Sequence, residues 1–188
     1  MAAPSDGLDA ESELASAASQ GDASAYEQLI QRYASVAFRT AVLITGSPPD
    51  AEDAAQEAFW KGYKAIRSFR RGSPFRPWLL QIVSNEAKSR IRSEARRRDR
   101  QERWLIDRVR LDAEEPLESV LVRERRETLL QAMERLESDD RLIINLRYYL
   151  ELSTSETAVV MGCPEGTVKS RLSRALARLR AALVNQNG

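Results

Sequence analysis

Apolar residues recur at helical spacing along most of the chain. The first predicted helix has Asp22 as a possible N-cap and keeps an apolar period of three to four residues as far as Gly46. Asp50 is a possible N-cap for a second helix, and Pro77 suits the first turn of a third. We expect each helix to bury one apolar stripe against the other two, as in a small all-α bundle.

A second run of helical periodicity begins near Glu118. One predicted helix is followed by another that begins at Ser138 or Asp139. A capping box, Ser153 with Glu156 three residues later, then opens a short helix. No alternating apolar and polar pattern of the kind that predicts a strand competes with these helices, so the predicted fold class is all-α.

The periodicity and the composition divide the chain into four segments. Residues 1–20 are predicted to be a flexible lead-in, residues 21–98 a first domain and residues 118–184 a second domain. Between the domains, residues 99–117 lose the apolar period and turn polar and acidic, which indicates an extended linker. A few apolar residues of this linker could dock on a partner: Trp104, Leu105, Ile106 and Val109.

The residue types that are missing exclude several kinds of chemistry. The 188 residues include no histidine and a single cysteine, Cys163. The chain therefore lacks a His-based triad, the commonest zinc ligand, a disulfide framework and a thiolate cluster. We expect no enzyme activity, no metal and no cofactor. No apolar run approaches the roughly 18–20 residues of a membrane span, and we expect a cytoplasmic protein.

A formal net charge of +1 conceals strong charge segregation. Residues 1–60 carry 2 basic and 10 acidic side chains, and residues 61–110 carry 16 and 5. Residues 111–140 carry 4 basic and 10 acidic side chains, and residues 141–188 carry 7 and 3. Two basic segments, each preceded by an acidic one, indicate two polyanion-binding surfaces and an acidic surface for another partner. Solvated helix faces are the alternative explanation.

The stretch from Leu152 to Arg174 has the plan of a DNA-binding helix-turn-helix. Gly162 is placed to end the helix that the capping box opens, and Pro164 is placed to begin the next helix. The outward face of that second helix is basic, whereas its inward face is apolar. We expect the outward face to enter a major groove through these residues: Thr167, Lys169, Ser170, Arg171, Arg174 and Arg178. A surface helix that is merely soluble is the alternative.

Aromatic rings interleave with basic residues in residues 59–98. Proteins that bind single-stranded nucleic acid use exposed rings as stacking platforms beside a cationic track. We expect Phe69 and Phe75, in a Gly- and Pro-containing loop, to be available for such contacts, and Asn85 to offer its amide to a base edge. The rings that lie on apolar stripes are expected to belong to the core: Phe59, Tyr63 and Trp78.

The predicted helix that begins at Asp50 is acidic, unlike a nucleic-acid-binding surface. Its carboxylates and one amide suit a basic protein partner: Glu52, Asp53, Gln56 and Glu57. An ordinary solvated face explains these residues equally well.

Taken together, these stretches resemble the extracytoplasmic-function (ECF) sigma factors, the small two-domain group of the bacterial sigma-70 superfamily. Residues 21–33 look like the opening of region 2, and the sequence DAEDAAQEAF at 50–59 looks like the segment that binds the clamp of the largest RNA polymerase subunit. The sequence FRRGSPFRPWLLQIVSN at 69–85 looks like the promoter-opening loop and helix. Residues 136–183, with GTVKSRL and RLR motifs, look like region 4. The likeness runs from about residue 20 to 184.

This resemblance implies an RNA polymerase sigma factor that binds core RNA polymerase, directs it to specific promoters and initiates DNA melting. Region 4 would read the −35 element as duplex. Region 2 would bind core polymerase and capture a flipped base of the −10 element through a second set of residues: Phe69, Arg70, Arg71, Phe75, Arg76, Trp78, Asn85 and Lys88.

The partners that the resemblance implies are the clamp of the largest polymerase subunit, the flap of the second-largest, and promoter DNA in duplex and single-stranded form. An anti-sigma factor is a further implied partner. Glu86 departs from the family pattern by placing a carboxylate beside the expected base-binding residues.

Two other functions explain parts of the sequence. An autonomous helix-turn-helix repressor or activator would explain residues 118–184, but it leaves the aromatic-basic loop and the acidic helix unused. An enzyme such as a serine recombinase or a nuclease would need a nucleophile or a metal cluster that we do not find in the sequence.

Overall fold

Helices make up most of the chain that the structure describes. The structure is a computed structural model that describes residues 5–70, 72–98 and 120–184. The predicted linker at 99–117 and the predicted base-binding residue Arg71 lie outside these residues. Within the described ranges there is no strand, which confirms the all-α fold class.

The chain divides into two units, with the division after Trp104. The described part of the first unit consists of four α-helices and a short 3₁₀ turn: α1 (Ser5–Ser19), α2 (Ala23–Thr45), α3 (Pro48–Ala65), the turn at Ile66–Ser68, and α4 (Phe75–Arg98). The described part of the second unit, residues 120–184, consists of four more α-helices and a π turn: α5 (Val120–Glu134), α6 (Ser138–Ile144), the turn at Asn145–Tyr149, α7 (Thr154–Met161) and α8 (Glu165–Val184).

Local capping residues set the ends of α2 and α3. Asp22 caps α2 as predicted, by accepting hydrogen bonds from the first backbone amides, and Gly46 ends this helix in the left-handed conformation with φ of +70°. The expectation that Asp50 caps the next helix is wrong. Ser47 is the N-cap of α3 and Pro48 lies in its first turn, because a proline there loses no helical hydrogen bond.

The first unit begins with a helix instead of the loose lead-in predicted for residues 1–20. Helix α1 packs on α2 and also contacts α4 and the 3₁₀ turn. Its buried face includes Ala15 and Ala18. Because alanine side chains are small, they allow close helix packing but give a weak periodic signal, which is why the sequence pattern missed this helix.

Helices α2, α3 and α4 pack against one another as a three-helix bundle. The face that α3 buries consists of alanines and Gly62, so its backbone lies close to α2. A Cβ atom built on Gly62 would lie 2.5 Å from the Tyr26 hydroxyl oxygen. That hydroxyl donates a hydrogen bond to the Phe59 carbonyl oxygen at 2.7 Å. The larger core side chains come from α2 and α4: Leu29, Phe75, Leu79, Leu80 and Val83.

In the second unit, α8 packs against α5, α6 and α7. The apolar period of α5 predicts that Leu129, Leu130 and Leu136 are buried. Leu129 and Leu130 are instead 44 % and 49 % exposed, whereas Leu136, just beyond the helix, is buried as predicted. Among the α5 side chains that the structure describes, Ala132 is buried. The rest of this core is aliphatic and includes Leu142, Ile143, Leu146, Leu152, Val160 and Val168.

Candidate nucleic-acid and polymerase-binding surfaces

The turn between α7 and α8 is fixed by its own hydrogen bonds. The predicted capping box is present: the Glu156 amide donates to Ser153 Oγ at 3.1 Å, and the Ser153 amide donates to Glu156 Oε2 at 2.7 Å. Gly162 ends α7 in the left-handed conformation, with φ of +62°. Helix α8 begins three residues later, so the structure confirms the predicted helix-turn-helix.

Helix α8 has a buried apolar side and an exposed basic side. Val168 and Ala175 are buried on the inward side. At helical spacing, five of the six predicted DNA-reading residues share one strip of α8, and Lys169 lies on a different side. Of the strip, Ser170, Arg174 and Arg178 are exposed and Thr167 and Arg171 are half-buried; Lys169 is also exposed. The first turns of this strip are suited to base edges and its long cations to phosphates.

Two arginines of this strip face carboxylates at the start of α6. Arg178 donates to Asp140, and this hydrogen bond raises the pKa of the Arg178 guanidinium. Arg171 Nη1 lies 3.9 Å from Asp139 Oδ2. These pairs join residues 38 and 32 positions apart, and sequence analysis did not identify them. DNA phosphates would have to compete with both carboxylates.

The aromatic rings near the start of α4 form a buried cluster. Phe69 and Phe75 are 7 % and 1 % exposed, so the expectation that these rings are available for contact is wrong. The Phe69 ring centroid lies 5.2 Å from that of Trp78 and 5.8 Å from that of Phe75. The Phe75 centroid lies 5.9 Å from that of Tyr33 on α2. The loop folds inward because clustering removes these apolar rings from water.

The exposed rings of this unit lie on α3 instead. Trp60 and Tyr63 are 54 % and 44 % exposed, and their rings stack at 6.4 Å with an interplanar angle of 19°. The Lys64 ammonium lies 4.5 Å from the Trp60 ring centroid, in a cation–π contact. The prediction that Tyr63 is core is therefore wrong, whereas Phe59 and Trp78 are half-buried.

The polar residues predicted to bind the −10 element surround the aromatic cluster or follow it along α4. Arg70 and Asn85 are exposed, and Arg76 and Lys88 are half-buried. The Glu86 carboxylate, also on α4, accepts a hydrogen bond at 2.7 Å from Lys61 of α3. This hydrogen bond raises the pKa of Lys61. Since Lys61 compensates its charge, Glu86 opposes a nearby phosphate less than the sequence suggests.

The residues of α3 predicted to bind a protein partner are exposed: Glu52, Asp53, Gln56 and Glu57. All four have intramolecular partners: the Gln56 amide donates to Glu52 Oε1 at 3.5 Å, Arg90 of α4 donates to Asp53, and Lys61 Nζ lies 3.7 Å from Glu57 Oε1. Between α3 and α4 lies an open, polar depression of about 180 Å³. Its lining residues are Ala54, Glu57, Glu86, Ser89, Arg90 and Ser93.

A buried carboxylate from α1 lies at the N-terminus of α4. Glu11 is 8 % exposed, and its Oε1 accepts hydrogen bonds from the amides of Phe75 at 2.9 Å and Arg76 at 3.3 Å. The hydroxyl of Tyr33 donates to the other carboxylate oxygen. Burial and the Glu11 hydrogen bond together raise the pKa of Tyr33. Sequence analysis did not single out Glu11, because no local signal pairs it with residues 64 positions away.

Among the residues that the structure describes, no three His, Cys, Asp or Glu side chains are grouped so that they could hold a metal ion. None of the described helices combines the length and apolar character needed to cross a membrane.

Each of the two units matches a known family model. Residues 29–97 match the family model Sigma-70 region 2, and residues 126–179 match the model Sigma-70, region 4. The RNA polymerase sigma-H factor of Pseudomonas aeruginosa is 34% identical over 171 residues, which cover 87% of this chain and 89% of that protein. The ECF RNA polymerase sigma-E factor of Escherichia coli K12 is 34% identical over 165 residues, covering 83% and 85%.

Two solved structures have the same fold. The sigma factor RpoE of Bartonella quintana, in complex with the anti-sigma factor NepR, superposes with a TM-score of 0.70 at 27% identity and covers 84% of this chain and 96% of that one. CnrH, in complex with the cytosolic domain of CnrY, gives a TM-score of 0.68 at 24% identity and covers 95% and 99%. The second likeness shows the fold alone.

These matches decide between the functions that the sequence left open. A free-standing helix-turn-helix regulator would not include the region 2 unit, and the match to sigma factors also rules out the recombinase and nuclease alternatives. The protein directs promoter-specific transcription initiation and is not an enzyme. The chain belongs to the ECF sigma factors of the sigma-70 family.

Proposed function

We propose that the two units divide promoter recognition between them. Residues 21–98 act as region 2, which binds core polymerase and the unpaired −10 element, and residues 118–184 act as region 4, which reads the −35 element as duplex. Residues 99–117 link them. The observation that carries this proposal is the basic strip of α8. This helix follows the capped helix α7 and its turn, which is the position of the recognition helix in a helix-turn-helix.

The −35 element is read by the outward strip of α8. Its leading residues, Thr167 and Ser170, are short enough to approach base edges, and Arg171 follows one position later on the same strip. Arg174 and Arg178 lie farther along and contact the phosphate backbone. Because Arg178 is held by Asp140, it reaches a phosphate only after exchanging partners.

We expect Arg171→Ala to weaken promoter affinity by about 1–3 kcal/mol if the guanidinium reads a base edge. The loss arises because a bidentate contact to one base pair disappears and is not replaced. The measurement is holoenzyme affinity for a set of promoters with single changes in the −35 element. Arg180→Ala, which removes an exposed cation from α8 outside the predicted set, is the matched control. An unchanged −35 preference in the Arg171 variant would reject a base-reading role.

The −10 element is bound as a single strand beside the start of α4. The exposed groups here are the guanidinium of Arg70, which precedes α4, and the amide of Asn85, which lies on α4, whereas the rings of Phe69 and Phe75 are buried. Flipping a base out of the duplex costs a few kcal/mol, which contacts to the flipped base must offset. An amide that donates and accepts at a base edge supplies part of that energy.

We expect Asn85→Ala to reduce promoter melting several-fold while leaving polymerase binding unchanged. The side chain is exposed on α4 and removing its amide leaves the core intact, so the effect falls on the DNA contact. Permanganate reactivity of unpaired thymines measures melting, and co-purification with core polymerase measures assembly. Ser89→Ala, one helical turn farther along, is the control. Equal losses of melting and assembly would mean that Asn85 has a structural role.

Core polymerase binds the acidic face of α3, and the flap of the second-largest subunit binds region 4. Glu52, Asp53, Gln56 and Glu57 suit the basic surface of a clamp, and the exposed Leu129 and Leu130 of α5 give region 4 an apolar contact surface. Reconstitution of holoenzyme from purified core polymerase and this chain tests the proposal. Promoter melting by the holoenzyme supports it, whereas tight duplex binding without polymerase and no melting with it would overturn it.

An anti-sigma factor is a further proposed partner, and the protein acts in the cytoplasm, where bacterial RNA polymerase is found. Support for the partner comes from the similar Bartonella quintana sigma factor, whose structure contains the anti-sigma factor NepR.

A further inference from the structure

Helix α4 obtains its N-terminal cap from a different helix. Pro74 precedes the helix and has no side-chain oxygen that could accept a hydrogen bond from a first-turn amide. Glu11 of α1 supplies the acceptor, because a single carboxylate oxygen receives the amides of Phe75 and Arg76 at 2.9 and 3.3 Å. A negative charge at this end of α4 also complements the helix dipole.

The same carboxylate joins three helices. Its second oxygen accepts the hydroxyl hydrogen of Tyr33, which belongs to α2, so Glu11 connects α1, α2 and α4 at one point. The carboxylate is 8 % exposed, and a buried charge of this kind is stable only while its hydrogen-bond donors stay in place. Donors and acceptor therefore hold one another in a defined geometry.

This point of attachment lies beside the proposed −10 site. Phe75 is both the first residue of α4 and a member of the buried aromatic cluster with Phe69 and Trp78. The direction in which residues 72–74 enter α4 depends on where the amide of Phe75 is held. A change at Glu11 would therefore alter the start of α4 without removing any group that could contact DNA.

We propose that Glu11 is a positioning residue for capture of the unpaired −10 strand: α1, through this carboxylate, holds the first turn of α4, residues 75–78, in the conformation that receives the flipped base. The inference rests on the proposed function of this segment. It assigns to α1 a role in strand capture in addition to its packing on α2.

The test uses holoenzyme reconstituted with the full chain, and the probe is a fluorescent single-stranded oligonucleotide that carries the −10 sequence. Loss of an N-cap acceptor costs about 0.5–2 kcal/mol, and we expect Glu11→Ala to weaken oligonucleotide binding by up to about 30-fold. Glu11→Gln keeps an oxygen acceptor, and we expect it to recover most of the affinity. Glu13→Ala, which changes an exposed carboxylate on the same helix, is the matched control and should bind normally.

Amide hydrogen exchange provides a readout that does not depend on DNA. We expect Glu11→Ala to speed exchange at Phe75 and Arg76, while amides in the middle of α3 keep their protection. Tyr33→Phe removes one donor and keeps the α4 cap, so its exchange at Phe75 should stay slow. If Glu11→Ala fails to fold, Glu11→Asp takes its place, because it keeps the carboxylate but withdraws the oxygens by one methylene from the amides of Phe75 and Arg76. We expect Glu11→Asp to speed exchange at these amides and to weaken oligonucleotide binding, and normal values of both would overturn the inference.

The outcomes separate this inference from the proposed function. Weak oligonucleotide binding by both Glu11→Ala and Asn85→Ala, with normal −35 binding, supports the inference. Weak binding by Asn85→Ala but normal binding by Glu11→Ala overturns the role of Glu11 alone. Normal binding by Asn85→Ala and also by Arg70→Ala overturns the proposed site and the inference with it. Parallel loss of −35 binding and assembly in Glu11→Ala would show a purely structural role and overturn the inference.

Discussion

Phe75→Ala is expected to destabilise the first unit by about 3–5 kcal/mol, the usual cost of truncating a buried phenylalanine. The ring is 1 % exposed and lies among Phe69, Trp78 and Tyr33, so its removal leaves a cavity within the aromatic cluster. Urea unfolding followed by far-ultraviolet circular dichroism measures the change in the free energy of unfolding. A loss of promoter melting in this variant would then follow from the loss of structure.

The exposed ring of Trp60 provides the control for Phe75. Because Trp60 is 54 % exposed, Trp60→Ala removes a stacked pair with Tyr63 but leaves no cavity, and we expect a cost of about 1 kcal/mol or less. One result would contradict this explanation: Phe75→Ala unfolds at the same urea concentration as the original chain but no longer melts promoter DNA. The Phe75 ring would then contact DNA directly, and its role would not be to stabilise the buried aromatic cluster.

Gly62→Ala is expected to cost about 1–3 kcal/mol, as overpacking in a well-packed core does. Alanine normally stabilises a helix relative to glycine, so helix propensity alone would predict that Gly62→Ala stabilises the protein. We expect the opposite change in the free energy of unfolding. The reason is the 2.5 Å between a Cβ at this position and the Tyr26 hydroxyl oxygen. To make room, Tyr26 must give up its hydrogen bond to the Phe59 carbonyl oxygen.

A second substitution tests this explanation. Tyr26→Phe alone should cost about 0.5–1.5 kcal/mol, the value of one hydrogen bond, and it removes the atom with which the new Cβ collides. The next atom, Tyr26 Cζ, lies at 3.7 Å, so the double variant should be more stable than the sum of the two single effects implies. Gly166→Ala on α8, where a Cβ meets nothing within 4 Å, should be neutral or stabilising. Additive costs in the double variant would contradict the proposed collision.

Short-range signals were sufficient to predict much of the fold. The Asp22 cap and the capping box of Ser153 and Glu156 depend on residues within a few positions of one another, and both are present. The basic strip of α8 also follows from local periodicity, because a helix separates its apolar and polar faces wherever it packs. The helix-turn-helix could therefore be predicted from sequence alone.

The features that sequence analysis missed depend on contacts between distant parts of the chain. Glu11 caps a helix 64 positions away, and Arg178 pairs with a carboxylate 38 positions away. Burial of Phe69 and Phe75 likewise depends on how the loop folds over α2 and α4, although its Gly and Pro content correctly predicted a break between helices. The alanine stripe of α1 was missed for a different reason, since small side chains leave little contrast in hydropathy.

The carboxylates at the start of α6 affect how this protein searches for a promoter. Attraction between cations and phosphates accounts for nearly all binding to random DNA. Because Arg178, which the proposed function places on the phosphate backbone, pairs with Asp140 of its own domain, that attraction is weaker than the number of arginines on α8 suggests. Under the proposed reading of the −35 element, base-edge contacts then contribute a larger share of the affinity. Asp140 would in this way raise the ratio between binding to specific and to random sites, which determines how often a genome-wide search ends at the right place.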